Sequence, residues 1–307
     1  VDPDRTMYDL ASLTKVVATT TAVMLLVEDG KMSLDAPVSL YLPEFSGGAK
    51  DRVTIRQLLT HTSGLPAGVE LWGTPDEALY RAITTPLVRE PGTRVEYSDI
   101  GFVVLFAAAQ RAAGEPLPEL LRRRVWAPLG MNSTMYAPGP DCTRCAPTLT
   151  RSDGSFYRGE VHDPIAHALG GVAGNAGLFS TAHDLARFAE MLAGGGELDG
   201  VRVLQRATVQ KFTHRQPGAG TRALGWDTPD PRGYGAAGLK ISPNAFGHTG
   251  YTGTSLWVDP DRNTWTVLLA NRTFAPRASN EIQSVRRRVH GWVADAADDV
   301  TSEMAAR

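Results

Sequence analysis

Ser12-Leu13-Thr14-Lys15 sets a lysine three residues after a serine, at the head of a long apolar stretch. The chain holds five lysines against 26 arginines, and this one sits among Val, Ala, Thr, Leu and Met. Residues i and i+3 of a helix share a face, so Ser12 and Lys15 point the same way. The serine then lies near the positive end of the helix dipole. A weak nucleophile, an amine beside it and a helix N-terminus together make an acylation site. The plainer alternative is a serine N-cap followed by a solvated first-turn lysine. Partners elsewhere in the chain decide between the two.

The helix that opens here is expected from about Leu13 to Asp29, stopped at Gly30. Val16, Val17, Met24, Leu25 and Val27 make it a central core element. Downstream, Thr54-Ile55-Arg56-Gln57 reads as a capping box, and Thr74-Pro75-Asp76-Glu77 as a second helix start with proline at the first position. A third helix runs from about Ile100 to Ala113, closed by Gly114, and others are expected over 117–125 and 182–193. Thr181 and Asp184 supply the cap and first-turn acid of the last of these. After about residue 221 the texture changes to alternating Thr, Trp, Val and Tyr. Ser255–Val258 and Trp265–Leu269 read as strands joined through Asp259–Asn263, and a terminal helix is expected from Ser279 onward.

The 307 residues suffice for one large domain or two interlocked ones, and the formal net charge of −2 implies no bulk attraction to nucleic acid. The basic runs Arg122–Arg124 and Arg286–Arg288 read as solvated helix faces. No apolar run approaches bilayer-spanning length; the longest, Phe102 to Ala109, suits a buried helix. The chain opens on Val1-Asp2-Pro3-Asp4 with no initiator Met, as a processed or cut N-terminus would. Cys142 and Cys145 form one C-x-x-C, which can be redox-active, half a zinc site or a small-loop disulfide. With no second pair and no surrounding βαβ pattern, a local structural role is favoured.

Two segments could complete an acyl-transfer site. Tyr97-Ser98-Asp99 lies just before a helix, where a tyrosine hydroxyl can stay free of the core. A nearby ammonium would favour the phenolate, which can take the serine proton. Otherwise Tyr97 is half-buried and Asp99 is the helix N-cap. His248-Thr249-Gly250-Tyr251 lies on an expected strand, where the glycine permits close approach of a ligand or another backbone. The N–H that follows it, together with that of Ser12, would form an oxyanion hole.

In order and in flanking sequence these three elements resemble those of the serine β-lactamase and penicillin-binding-protein superfamily. The tyrosine element resembles the class C-like branch, with its esterases, D-aminopeptidases and DD-carboxypeptidases. Leu58–Leu65, Pro128–Met131 and Gly177–Thr181 are similar to that branch too, and the likeness runs from about Tyr8 to Asn271. It implies an α/β (α+β) fold: an antiparallel sheet flanked by helices, a mainly helical subdomain, and the active site in the cleft between them. The single domain, 1–307, would divide into a helical part at about 30–220 and a sheet-and-helix part at about 221–307 plus the N-terminal segment.

The resemblance also implies roles. Ser12 would be acylated, Lys15 would hold the proton network, and Tyr97 would be the general base. It leaves open which of Lys15 and Tyr97 takes the proton. The N–H groups of Ser12 and Tyr251 would bind the oxyanion, beside Asp99, His248, Thr249 and Gly250. Three features depart from the commonest pattern. Asp99 stands where Asn is usual, free to pair with Lys15 or to repel a substrate carboxylate. His248 stands where β-lactamases carry Lys, and is largely neutral near pH 7. Only eleven residues precede Ser12, so N-terminal sheet elements are expected to be missing.

The expectation is therefore a serine hydrolase with a covalent acyl-enzyme, acting on small-molecule esters, amides or D-amino-acid peptides. The alternatives are a class C-type β-lactamase or DD-carboxypeptidase, and a non-catalytic penicillin- or cell-wall-binding module. No metal or organic cofactor, nucleic acid or transmembrane segment is expected. A periplasmic or secreted setting is favoured over a cytoplasmic one. His162-Asp163 and His167 read as loop hydrogen-bonding residues, His61 as organising a turn, and Trp226, Trp257 and Trp265 as strand-packing aromatics.

Overall fold

The computed structural model describes residues 1–274 and 281–305. Short strand β1 (Tyr8–Asp9) leads into one continuous helical segment that changes pitch twice: a 3₁₀ turn at Ala11–Leu13, a π-helical stretch at Lys15–Thr20, then α1 (Thr21–Glu28). The uniform α-helix expected over Leu13–Asp29 is thus corrected. Thr21 Oγ1 donates to the Val16 carbonyl five residues back, at 2.8 Å, which fits the widened turn. Val16, Val17, Met24 and Leu25 are fully buried, so this segment is the axis of the core. By length and composition Ala11–Glu28 passes as a membrane span, contrary to expectation, yet it is 83% buried within the protein. A core helix satisfies the same test.

The local start and stop signals hold. Helices α2 (Ile55–Leu59) and α3 (Pro75–Thr84) both begin in complete capping boxes, at Thr54/Gln57 and Thr74/Glu77. Helix α4 (Asp99–Ala113) ends at left-handed Gly114, and α5 (Leu117–Leu121) continues into a π-helical turn at Arg122–Trp126. The middle of the chain adds β2 (Met135–Tyr136), the hairpin β3 (Leu149–Thr150) and β4 (Phe156–Tyr157), α6 (Pro164–Ala168) and β5 (Leu178–Ser180). Helix α7 (Ala182–Ala193) is capped by Thr181; the small hairpin β6 (Glu197–Leu198) and β7 (Val201–Arg202) and α8 (Arg206–Thr213) follow.

The final part holds β8 (Phe246–Thr249), β9 (Ser255–Asp259), β10 (Thr264–Leu268) and α9 (Ile282–Ala305). The expected hairpin is in register from Thr264↔Asp259 to Leu268↔Ser255. The expected helix start at Ser279 lies outside the described residues. Strands β10-β9-β8 form an antiparallel sheet against which α7 and α9 pack. A second antiparallel sheet, β1-β5-β2, fastens the chain just ahead of Ser12. Cys142 and Cys145 are joined to each other in a disulfide. Cys145 packs on Met7 and Phe179 beneath β1.

Candidate active site

Ser12 leaves β1 through Ala11, whose φ of +47° lies in the left-handed region. Leu10 N–H bonds the Leu178 carbonyl at 3.0 Å and Leu178 N–H bonds Thr14 Oγ1 at 3.1 Å, so the start of β5 grips both sides of the serine. One helical turn on, Lys15 is fully buried. Its Nζ donates to Ser12 Oγ at 2.9 Å, to Asp99 Oδ1 at 2.6 Å and to the Asn175 carbonyl at 2.9 Å. Burial pulls the Lys15 pKa down, but Tyr97 and the Asp99 carboxylate more than offset it and hold the ammonium above its ordinary value. Of the two expectations for Asp99, pairing with Lys15 is the one realised.

Tyr97 and Asp99 arrive together at the N-terminus of α4. The cap there is Ser98, not Asp99: Ser98 Oγ accepts from Gly101 N–H at 2.9 Å and donates to the Pro66 carbonyl at 2.6 Å. The cap leaves Asp99 free for Lys15 and turns the Tyr97 ring over the ammonium, 4.9 Å from its centroid. His61, at φ +58°, accepts the Ser98 N–H on Nδ1 at 3.0 Å and lays its ring 4.4 Å from that of Tyr97. It organises a turn, as expected, and that turn carries the tyrosine.

His248 is buried at the end of β8, its ring 6.1 Å from Tyr97. Desolvation, then Arg222 and Lys15, hold both His248 and His61 well below the ordinary imidazole value, so both are neutral. Nδ1 of His248 donates to the Thr249 carbonyl at 2.8 Å. The cation usual at this position is therefore lacking. A Cβ on Gly250 would meet the Leu10 carbonyl at 2.4 Å; the close approach the glycine permits is that of the backbone leading to Ser12. Thr252 and Thr254 hydroxyls tie the same loop to the Asp9 and Leu10 carbonyls at 2.8 and 3.0 Å. Among the described residues, no protein acceptor meets the N–H of Ser12 or of Tyr251.

Beyond Ser12 opens a cavity of about 250 Å³, with Tyr97, Thr249, Tyr251, Arg272 and Arg286 on its wall. A larger one, about 450 Å³, lies between α7, α8 and the sheet and contains none of the site residues, so chemistry rather than volume marks the site. Arg286 corrects the expectation of a solvated basic run. It is 3% exposed and donates to the Gly250 and Thr254 carbonyls, each at 2.7 Å.

Three residues of this arrangement escape sequence reading. Asn175 supplies the third acceptor for Lys15; its place depends on Gly174, where a Cβ would meet the Phe102 carbonyl at 2.1 Å. Asp9 takes the N–H groups of Ala11 and His162. Arg222 lies over the Tyr97 ring at 5.3 Å. His162-Asp163 and His167 do make loop hydrogen bonds, and the His162 ring also stacks on Tyr251 at 5.8 Å. Among the described residues no cluster of groups could hold a metal ion.

The beta-lactamase family model matches residues 1–288. A relative from Salmonella agona (strain SL483), named "Putative D-alanyl-D-alanine carboxypeptidase", is 31% identical over 330 residues, covering 94% of this chain and 76% of that protein. Two solved structures share the fold. One is EstCE1, described as a hydrolase with promiscuous acyltransferase activity, with TM-score 0.72, 23% identity and coverage of 94% and 85% of the two chains. The other is a penicillin-binding protein homologue from Caulobacter crescentus, with TM-score 0.73, 21% identity and coverage of 94% and 84%. With this fold and these relatives, the chain belongs to the beta-lactamase family and is a serine hydrolase of the β-lactamase and penicillin-binding-protein kind.

Proposed function

We propose that the chain hydrolyses small esters, amides or D-amino-acid peptides through an acyl-enzyme on Ser12. The observation that carries this is the buried Lys15 ammonium, 2.9 Å from Ser12 Oγ and balanced by Asp99 at 2.6 Å. With Lys15 protonated and its three N–H bonds directed at three acceptors, the Tyr97 oxygen, acting as the phenolate beside that ammonium, is the group left to take the Ser12 proton. Ser12 Oγ then attacks the substrate carbonyl, and the N–H groups of Ser12 and Tyr251 receive the oxyanion. The proton passes from Tyr97 to the leaving group. Water, activated by the same oxygen, then releases the acid product.

The neutral His248 argues against strong binding of a β-lactam carboxylate at that position. A second reading, a DD-carboxypeptidase, is favoured by the name of the Salmonella relative and by Arg272 and Arg286 on the cavity wall. The Cys142–Cys145 bridge favours an oxidising compartment, periplasmic or secreted.

Intact-mass analysis after incubation with a fluorophosphonate tests the nucleophile: one adduct is expected on the wild type and none on Ser12→Ala. No adduct on the wild type leaves a binding module as the reading. Parallel assays with p-nitrophenyl esters, a D-alanyl-D-alanine peptide and nitrocefin rank the substrates. Faster turnover of nitrocefin than of every ester would put β-lactams ahead of esters as the substrate class.

A further inference from the structure

Asp9 stands three residues ahead of Ser12 and is 2% exposed. Both its oxygens accept from backbone: Oδ1 from the Ala11 N–H at 2.8 Å, Oδ2 from the His162 N–H at 2.7 Å. Ala11 is the left-handed residue on which Ser12 turns into the site, a conformation that a residue with a Cβ keeps only when held. The neighbour of His162 reaches the other end of the same turn. Asp163 Oδ1 accepts from Asn175 Nδ2 at 2.9 Å, and the Asn175 carbonyl accepts from Lys15. One two-residue step of a distant loop thereby touches both ends of Ser12–Lys15, while the His162 ring lies against Tyr251.

We propose that Asp9 is a positioning residue for Ser12: its carboxylate holds Ala11 in the left-handed conformation, fixing the direction of Ser12 Oγ and N–H, and locks that turn to the His162 loop. The proposal rests on Ser12 being the acylated nucleophile. A side chain needed only to fill this space would be better neutral, because a buried carboxylate is costly. The groups facing the Asp9 carboxylate are Asp163 and the Tyr157 phenol, neither of them a cation. Burial raises the Asp9 pKa to about 6, with the two N–H donors opposing and Asp163 adding to the rise. The lock is therefore complete only above about pH 6, and acylation weakens as Asp9 takes up a proton.

The test compares fluorophosphonate labelling rates of wild type, Asp9→Asn and Asp9→Asn with Ala11→Gly. An asparagine sets an NH₂ against one of the two N–H donors; a glycine at position 11 removes the conformational cost that the carboxylate offsets. At pH 7.5, Asp9→Asn is expected to label at least about ten-fold more slowly, with ester kcat falling and KM held within about two-fold. The fall in rate below about pH 6 disappears in this variant. Adding Ala11→Gly recovers about three-fold or more. If Asp9→Asn fails to fold, the double variant stands in, and labelling within about ten-fold of wild type is the expected result. Equal rates for wild type and Asp9→Asn overturn the proposal, as does a double variant no faster than the single or, where the single does not fold, a double variant slower than that ten-fold limit. A wild type that takes no label at all fails the nucleophile reading itself, and that arm keeps the two failures apart.

Discussion

Lys15 has three N–H bonds and three oxygens to receive them, and only Asp99 among those oxygens carries charge. The amine's preference for its protonated form therefore depends on Asp99 as well as on Tyr97. Asp99→Asn keeps an oxygen acceptor but removes the anion, so one of the two influences opposing burial is lost and the Lys15 pKa falls. The alkaline limb of the ester kcat/KM profile is expected to move toward neutral pH, with activity near pH 7 retained in good part. An unmoved limb would mean that Lys15 does not set it. Asp9 works in the opposite sense. Its carboxyl ionises at about 6 in the fold against 3.8 in an unfolded chain, so the native state binds more protons between those values. The stabilisation this provides, about 3 kcal/mol, is present below about pH 4, declines as pH rises to 6 and is gone above. The amide set against one of the two N–H donors costs Asp9→Asn stability at every pH, and the deficit relative to wild type should be about 3 kcal/mol larger at pH 4 than at pH 7.5. Thermal melts at the two pH values read the difference.

At the scale of elements, the N-terminus of α4 is where secondary structure and chemistry meet. Ser98 caps the helix, bonds Pro66 and separates Tyr97 from Asp99, so its loss touches both neighbours. Ser98→Ala is expected to cost about 2 kcal/mol, a cap plus a buried hydrogen bond. It should also lower ester kcat by more than the population unfolded explains, since both site residues lose their anchor. Denaturant unfolding beside kinetics separates the two effects. The limits of the sequence show at this same helix end. The Thr54, Thr74 and Thr181 caps, the Gly114 stop and the 255–268 hairpin were legible because each is written within a few neighbouring residues. Ser12, Lys15 and Tyr97, the proposed catalytic set, were singled out by motif and order, and the fold places Ser12 and Tyr97 beside Lys15. The cap at Ser98 was not, because serine and aspartate cap equally well and only the fold assigns Asp99 to Lys15. Nor were Asn175 and Asp9, whose partners lie 160 and 153 residues away. Arg286 misled for a related reason: a run of arginines reads as a wet face until a carbonyl pair from another loop claims one of them.

Across the whole molecule, a single large core runs from Leu10 to Val258 with the Ser12-bearing helix along its axis, and the site is held to it from several sides. One of those attachments is covalently buttressed. Met7 N–H bonds the Arg144 carbonyl at 3.0 Å and Ala146 N–H bonds the Met7 carbonyl at 2.8 Å, so the disulfide loop lies directly on the chain entering β1. The bridge closes a loop of separation three, and the entropy removed from the unfolded chain by so short a loop is small, about 2 kcal/mol. Loss of the disulfide by reduction, or by Cys142→Ser with Cys145→Ser, should lower the melting temperature by a few degrees for a chain of this length and leave the fold intact. Because Cys145 sits under Met7 and Phe179, the same change should loosen β1 and with it the Asp9–Ala11 turn, so fluorophosphonate labelling should slow more than the melt implies. A reduced protein that labels at the oxidised rate would show that the β1–β5 pairing alone, Tyr8↔Ser180 and Asp9↔Phe179, is enough to hold the nucleophile in register.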